Sequence, residues 1–286
     1  MSKPRYRLAV DAALEKGAAV TLHDNAAHYL TQVLRLGGGD SIALFNQTDG
    51  EWRASIAATR KKEVTLVVEE CQRPPSACGI HLIVCFAPIK GGRMETIIEK
   101  ATELGASVLQ PVITARTVVD KVNMNRAEAI AREAAEQCER IDWPEIREPV
   151  KLLNLLGEWP ADIPLIYGDE SGESAAFASL LNEGGLAPLA TLPPAASGSR
   201  EALRTPELAM RNQDSAQQSW AILVGPEGGF TPDEFAALAR VKTAIGVGLG
   251  PRILRADTAV ITLCAVTMQA WGDWAARPRF MNEGEA

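Results

Sequence analysis

The stretch Trp220–Ala259, WAILVGPEGGFTPDEFAALARVKTAIGVGLGPRILRADTA, reads as strand, glycine turn, helix, strand, second glycine turn, helix. Ala221–Val224 is a short apolar run closed by Gly225 and Pro226, the pattern of a buried strand. Gly228 and Gly229 relieve the next turn of side-chain strain and leave its amides uncovered. Thr231-Pro232-Asp233-Glu234 spells a helix start, with a threonine cap, proline at the first helical position and glutamate at the capping-box offset. The same grammar returns at Ala244–Leu249, Gly250-Pro251 and a helix from near Ala256. Two glycine turns at the carboxyl ends of neighbouring parallel strands are where an open α/β sheet takes its ligand. Gly225–Gly229 alone reads equally well as a structural turn. The second Gly-Pro turn, followed by Arg252 and Arg255, favours a shared pocket.

Upstream, strand and helix alternate, which implies a mostly parallel sheet. Strands are expected at Ile80–Ala87, Val108–Ile113 and Ile163–Tyr167. Helices are expected at Glu95–Leu104, Arg126–Arg140 and, weakly, Glu173–Leu181. Residues 1–72 are different, with five short strands predicted at Arg5–Val10, Ala18–Leu22, Ser41–Phe45, Trp52–Ala57 and Val64–Val68, and Asp49-Gly50 as a hairpin turn. One helix interrupts them, capped by Asp24, with His28, Leu30, Val33 and Leu34 at helical spacing and an end near Gly37. This pattern suggests a small barrel. Gln72–Ser76 is a stiff polar joint and sets the domain boundary. Gly184–Ser215 has little periodicity and reads as a surface insertion with a helical turn around Glu201–Arg204. An apolar helix from Asp257 to about Trp274 and a frayed tail, residues 276–286, follow.

With 286 residues, 47% of them hydrophobic, the chain can bury the cores of two domains. No apolar run approaches ~18 residues, and the charged amino end does not read as a signal peptide. The five cysteines form no CxxC pair, which favours reduced, mostly buried thiols in the cytoplasm. Three histidines without metal-ligand spacing argue against a metal site. The net charge of −7 disfavours a broad nucleic-acid surface, but residues 1–72 balance nine Lys+Arg against nine Asp+Glu. Any RNA contact is therefore local, with few phosphates neutralised.

Gly246-Val247-Gly248-Leu249-Gly250 does not fit a dinucleotide fingerprint, because Pro251 sits where the third glycine belongs. The GxxxxGK[ST] and GxSxG motifs are absent. Arg255 reads either as a surface ion pair with Asp257 or Glu227, or as an anion-holding group where the ligand's reactive end emerges. Lys90 and Arg93 follow a strand's carboxyl end, on the same rim as the glycine turns.

Gly225–Phe230 (GPEGGF) and Leu249–Arg255 (LGPRILR) together resemble the cofactor loops of the RsmE-type 16S rRNA (uridine-N3) methyltransferases of the SPOUT superfamily. So do Lys90–Gly105, Pro111–Arg116 (PVITAR) and Glu133–Arg140, while His28, Val33–Leu36 and Gly39-Asp40 match that family's amino-terminal domain. The resemblance spans nearly the whole chain outside Gly184–Ser215 and the tail. It implies an α/β fold of SPOUT type, a trefoil-knotted and mostly parallel sheet over 78–275, preceded by a PUA-like β-barrel over 1–73 that binds RNA. S-adenosyl-L-methionine would be held by Val224, Gly225, Pro226, Glu227, Gly228, Leu249, Gly250, Ile253 and Leu254. Arg255 would be the catalytic residue, steadying the uracil anion or its phosphate. Arg5, Arg35, Lys90, Arg93 and Arg116 would contact 16S rRNA in the small ribosomal subunit. The final helix would pack on its copy in a homodimer, giving Val260, Leu263, Val266 and Met268 a reason to be apolar, unless they face their own core. Where the family usually has Thr-Glu after the arginine, this chain has Ala256-Asp257. A family member acting on another RNA, or a non-catalytic ribosome-binding relative, remains the alternative.

Overall fold

The computed structural model describes residues 4–75, 80–119, 121–182 and 218–276. The Gly184–Ser215 insertion, Ser76 of the joint and the tail beyond Ala276 lie outside them. The strands are β1 (Arg7–Ala9), β2 (Ala19–His23), β3 (Ser41–Asn46), β4 (Gly50–Arg60), β5 (Glu63–Arg73), β6 (His81–Phe86), β7 (Ala106–Ile113), β8 (Glu145–Ile146), β9 (Val150–Lys151), β10 (Leu165–Gly168), β11 (Ser219–Val224) and β12 (Ala244–Val247). The helices are α1 (Asp24–His28), continued by a π-turn over Tyr29–Val33, then α2 (Arg93–Glu103), α3 (Met124–Gln137), α4 (Leu152–Gly157), α5 (Phe177–Asn182), α6 (Pro232–Leu238) and α7 (Ala256–Trp271). Two compact units result: Met1–Ala77 with Arg132–Trp143, and Cys78–Ala131 with Pro144–Ala286.

In the first unit β1–β5 form one sheet in the order β1-β3-β4-β5-β2, antiparallel except for the β1–β3 pair. Alternation does the work. Val20 and Leu22 of β2 point inward between exposed neighbours, and they pack with Ile42, Leu44, Ile56, Val64 and Leu66. Deep in this unit the carboxylate of Glu51 accepts from Arg7 Nε and Arg73 Nη2, both at 2.6 Å. Arg7 also donates to the carbonyls of Ala135, Glu136 and Arg140, which brings the carboxyl half of α3 into the unit. Burial alone would push the Glu51 carboxyl up, but the hydrogen bonds and charges of Arg73 and Arg7 more than offset it and hold the group below its ordinary range.

The first helix departs from its predicted shape. Asp24 sits at φ +44 and makes no cap bond, His23 being the cap residue. The ladder then widens to the π-turn, which turns Val33 outward to 58% exposure while Leu30 stays buried. Periodicity of 3.6 placed Val33 on the inner face; a π-turn does not keep that period.

In the second unit every strand pairing is parallel, in the order β12-β10-β11-β6-β7-β8, with β9 also on β7. Ile97, Ile98 and Ala101 of α2 are buried, whereas Met94 and Leu104 are only half-buried. On α7, Val260, Leu263 and Met268 are buried within their own chain and Val266 is half-buried. Trp271 closes that helix by stacking on Trp220 of β11, centroids 3.8 Å apart. The helix ends there rather than at Trp274. β8, β9 and α4 escape the sequence pattern because two-residue strands and a six-residue helix show no period. Among the described residues no helix is long and apolar enough to cross a membrane, and no cluster of three His, Cys, Asp or Glu could hold a metal ion. Cys85 and Cys264 are buried thiols whose pKa burial pushes up to about 12, while Cys71 is exposed.

Candidate functional site

A cavity of about 450 Å³ opens at the carboxyl ends of β10, β11 and β12, all within the second unit. The chain runs from β10 to β11 on one side, and β12 then pairs on the other side of β10. That reversal of strand order is the place where a parallel sheet leaves a crevice. The sequence reading made the two glycine turns neighbours. The structure corrects this, since β10 lies between β11 and β12 and sends its own loop, Gly168–Ala176, into the cavity wall.

Eight of the nine residues expected around a cofactor line this cavity: Val224, Gly225, Pro226, Glu227, Leu249, Gly250, Ile253 and Leu254. Gly228 does not; a Cβ there would stand 3.4 Å from the Arg116 side chain instead. The turn Pro226–Gly229 closes through Gly229 N–H to Pro226 O at 2.9 Å, with Gly229 at φ +68. Gly225 allows a close approach, because a Cβ would lie 3.1 Å from the Phe230 ring. At α6, Thr231 and Glu234 form the full capping box, and Glu234 Oε1 also accepts Ala115 N–H at 2.7 Å. The buried Glu234 thus ties the loop after β7 to the glycine turn.

Asp169 and Glu170 are cavity residues that the sequence reading missed. The available signal was a glycine and two carboxylates directly after a β-rich run, Gly168-Asp169-Glu170. Asp169 accepts Ser171 N–H at 2.8 Å and the Ser174 hydroxyl at 2.5 Å. Desolvation opposes its charge, but these bonds outweigh it and keep the carboxyl below its ordinary range.

The expected basic residues fall in different places. Arg255 is exposed at the amino end of α7, between the cavity residues Leu254 and Ala256, and its side chain has no hydrogen bond or ion pair among the described residues. The ion pair it was offered with Glu227 is taken by Arg93, whose Nη1 lies 3.2 Å from Glu227 Oε1. Lys90 is exposed on the loop after β6. Arg116 donates to Gly228 O at 2.6 Å and Phe230 O at 3.4 Å. Arg5 and Arg35 are exposed on the first unit, Arg35 at φ +57.

Residues 76–191 and 195–268 match the family model described as an RNA methyltransferase domain, and 22–69 match an RNA methyltransferase PUA domain. This chain belongs to the RNA methyltransferase family. Ribosomal RNA small subunit methyltransferase E of Rickettsia conorii is 30% identical over 91% of this chain and 93% of its own length. The protein of that name from Synechocystis sp. is 33% identical over 89% of this chain and 74% of its own. Among solved structures, a Legionella pneumophila methyltransferase in complex with bound SAM superposes with a TM-score of 0.74 at 27% identity, covering 94% of this chain and 98% of that one. The residues lining the cavity just described, from Gly168 to Ala259, fall within the stretches matched by the RNA methyltransferase domain model.

Proposed function

We propose that this protein transfers a methyl group from S-adenosylmethionine to N3 of one uridine in the 16S rRNA of the small ribosomal subunit. The carrying observation is the cavity itself, in which the turns at Gly225 and Gly250 meet within a chain of this family. Its volume suits a nucleoside-sized ligand. Its walls combine apolar Val224, Leu249, Leu254 and Ala259 with glycine backbone and the carboxylates of Asp169 and Glu227. That set fits a purine edge, ribose hydroxyls and an ammonium group.

When bound, the cofactor supplies a methyl on a sulfonium, open to direct displacement. The chain's part is to position and desolvate the acceptor. Uridine N3 is a weak nucleophile until its proton leaves, so charge building on the uracil must be held. Arg255 takes this role, a reading supported by its exposed position between the cavity residues Leu254 and Ala256 and by the partial positive charge at the amino end of the 16-residue α7. Lys90, Arg93, Arg5 and Arg35 serve RNA phosphates, and the target base is taken from a loop or extruded from its stack. The finer architecture of this reading is a closed amino-terminal barrel, a trefoil knot around β11 to α7 and a cytoplasmic homodimer. On α7 the dimer contact falls on the flank of half-buried Val266, because Val260, Leu263 and Met268 are already buried at home.

Calorimetry tests the site directly. Ala259→Phe fills the cavity from α7 and should abolish S-adenosylmethionine binding without unfolding the protein. Undiminished binding by that variant would place the cofactor elsewhere.

A further inference from the structure

The glycine turn that lines the cavity holds its shape through contacts from two other loops. One is the turn Thr114–Thr117 after β7, where Thr114 N–H donates to Thr117 Oγ1 at 2.9 Å and Arg116 N–H to Thr114 Oγ1 at 3.3 Å. Glu234, 3% exposed, fixes the same loop by accepting Ala115 N–H. From this anchored base the Arg116 guanidinium reaches two carbonyls of the glycine turn, Gly228 and Phe230. The other is the loop after β10. Its Asp169 N–H donates to Val247 O at 3.0 Å, and the next residue, Glu170, accepts Phe230 N–H at 3.1 Å. Gly229 sits at φ +68, which a side chain would strain, and a Cβ there would also displace the Glu170 carboxylate.

We propose that Arg116 and Glu170 are positioning residues for the cofactor-binding turn. Arg116 gathers its carbonyls, Glu170 takes its outward N–H, and the turn between them is held open to the cofactor before the cofactor arrives. Preorganisation of this kind lowers the ordering cost of binding. With its Nη1 held by two carbonyls the Arg116 guanidinium is aimed at the turn, so Arg116 acts on the cofactor side of the reaction. The inference rests on the cavity being the S-adenosylmethionine site.

The test measures two affinities on each purified full-length variant. One is S-adenosylmethionine by calorimetry, and the other is 16S rRNA by titration at several salt concentrations. Arg116→Ala should raise the cofactor Kd about tenfold, as loss of bonds to a charged donor implies, with RNA affinity and its salt slope unchanged. Arg116→Lys keeps the charge, but its ammonium ends one bond short of the Nη1 that makes both contacts, and should be nearly as impaired. Glu170→Ala should raise the cofactor Kd severalfold, and Glu170→Gln, which still offers a carbonyl to Phe230 N–H, should restore it. If Arg116→Ala does not fold, the Glu170 pair decides by the same criterion. The opposite result is normal cofactor affinity with weaker RNA binding, a salt slope shallower by about 0.7–0.9 and rescue by lysine. That would make Arg116 an RNA contact and overturn the inference alone. A wild-type protein that binds no S-adenosylmethionine would overturn the proposed function with it.

Discussion

Glu51 shows what one residue contributes and how little of it the sequence reveals. It follows a hairpin Asp-Gly, where a glutamate ordinarily faces water, yet it is 1% exposed and bonded to Arg7 and Arg73. Nothing local announces this, because its partners are 44 and 22 residues away. Glu51→Ala leaves two guanidiniums uncompensated and should cost about 3–5 kcal/mol in urea unfolding. Its carboxyl lies below the ordinary 4.5 in the folded state, so its contribution is complete above pH 4.5 and is lost as pH falls through the folded value. Unfolding curves from pH 6 to 3 should show that loss, and Glu51→Gln should flatten it. At the site, Arg255 was legible as a cation beside a helix start, and its freedom from partners among the described residues suits transient charge. Arg255→Ala should lower the methyl-transfer rate about a hundredfold or more, as for other anion-stabilising donors, with cofactor affinity nearly intact. Equal loss of both would remove Arg255 from the reacting end.

Elements with local chemistry were readable, and α6 is the clearest. The Thr231-Pro232-Asp233-Glu234 start is present as a full capping box. Thr231→Ala should cost about 1 kcal/mol of stability by thermal unfolding. Glu234→Ala should cost more, since it also strands Ala115 N–H. A smaller effect for Glu234 would mean that the link between the two loops carries no energy. The apolar character of α7 was equally plain, but not its destination. Its hydrophobic positions suit a core or a partner, and only packing assigns them inward, Leu263 beside Gly168 and Met268 beside Gly105. Leu263→Ala should therefore cost about 2–5 kcal/mol even in a dilute, monomeric sample. The order of the strands was not legible. That β10 separates β11 from β12 is a long-range pairing, and the loop carrying Asp169 and Glu170 was overlooked for that reason.

For the whole molecule, the net charge of −7 and the few free cations near the cavity set the expected mode of RNA binding. The four phosphate contacts of Lys90, Arg93, Arg5 and Arg35 should give a slope of log K against log salt of about −2.8 to −3.6, far short of a broadly basic binder. The division into a β-rich and an α/β unit could be read from the switch in periodicity near Gln72–Ser76. The return of Arg132–Trp143 to the first unit could not, because it depends on Arg7 reaching carbonyls more than a hundred residues away. The most direct test takes small subunits from a strain lacking the activity, with this protein and methyl-labelled S-adenosylmethionine. The 16S RNA is then digested and the labelled nucleoside identified by mass spectrometry. Label confined to N3-methyluridine at a single site is the predicted result. Label on another atom or another RNA, or none from a protein that binds the cofactor and the subunit, would contradict it.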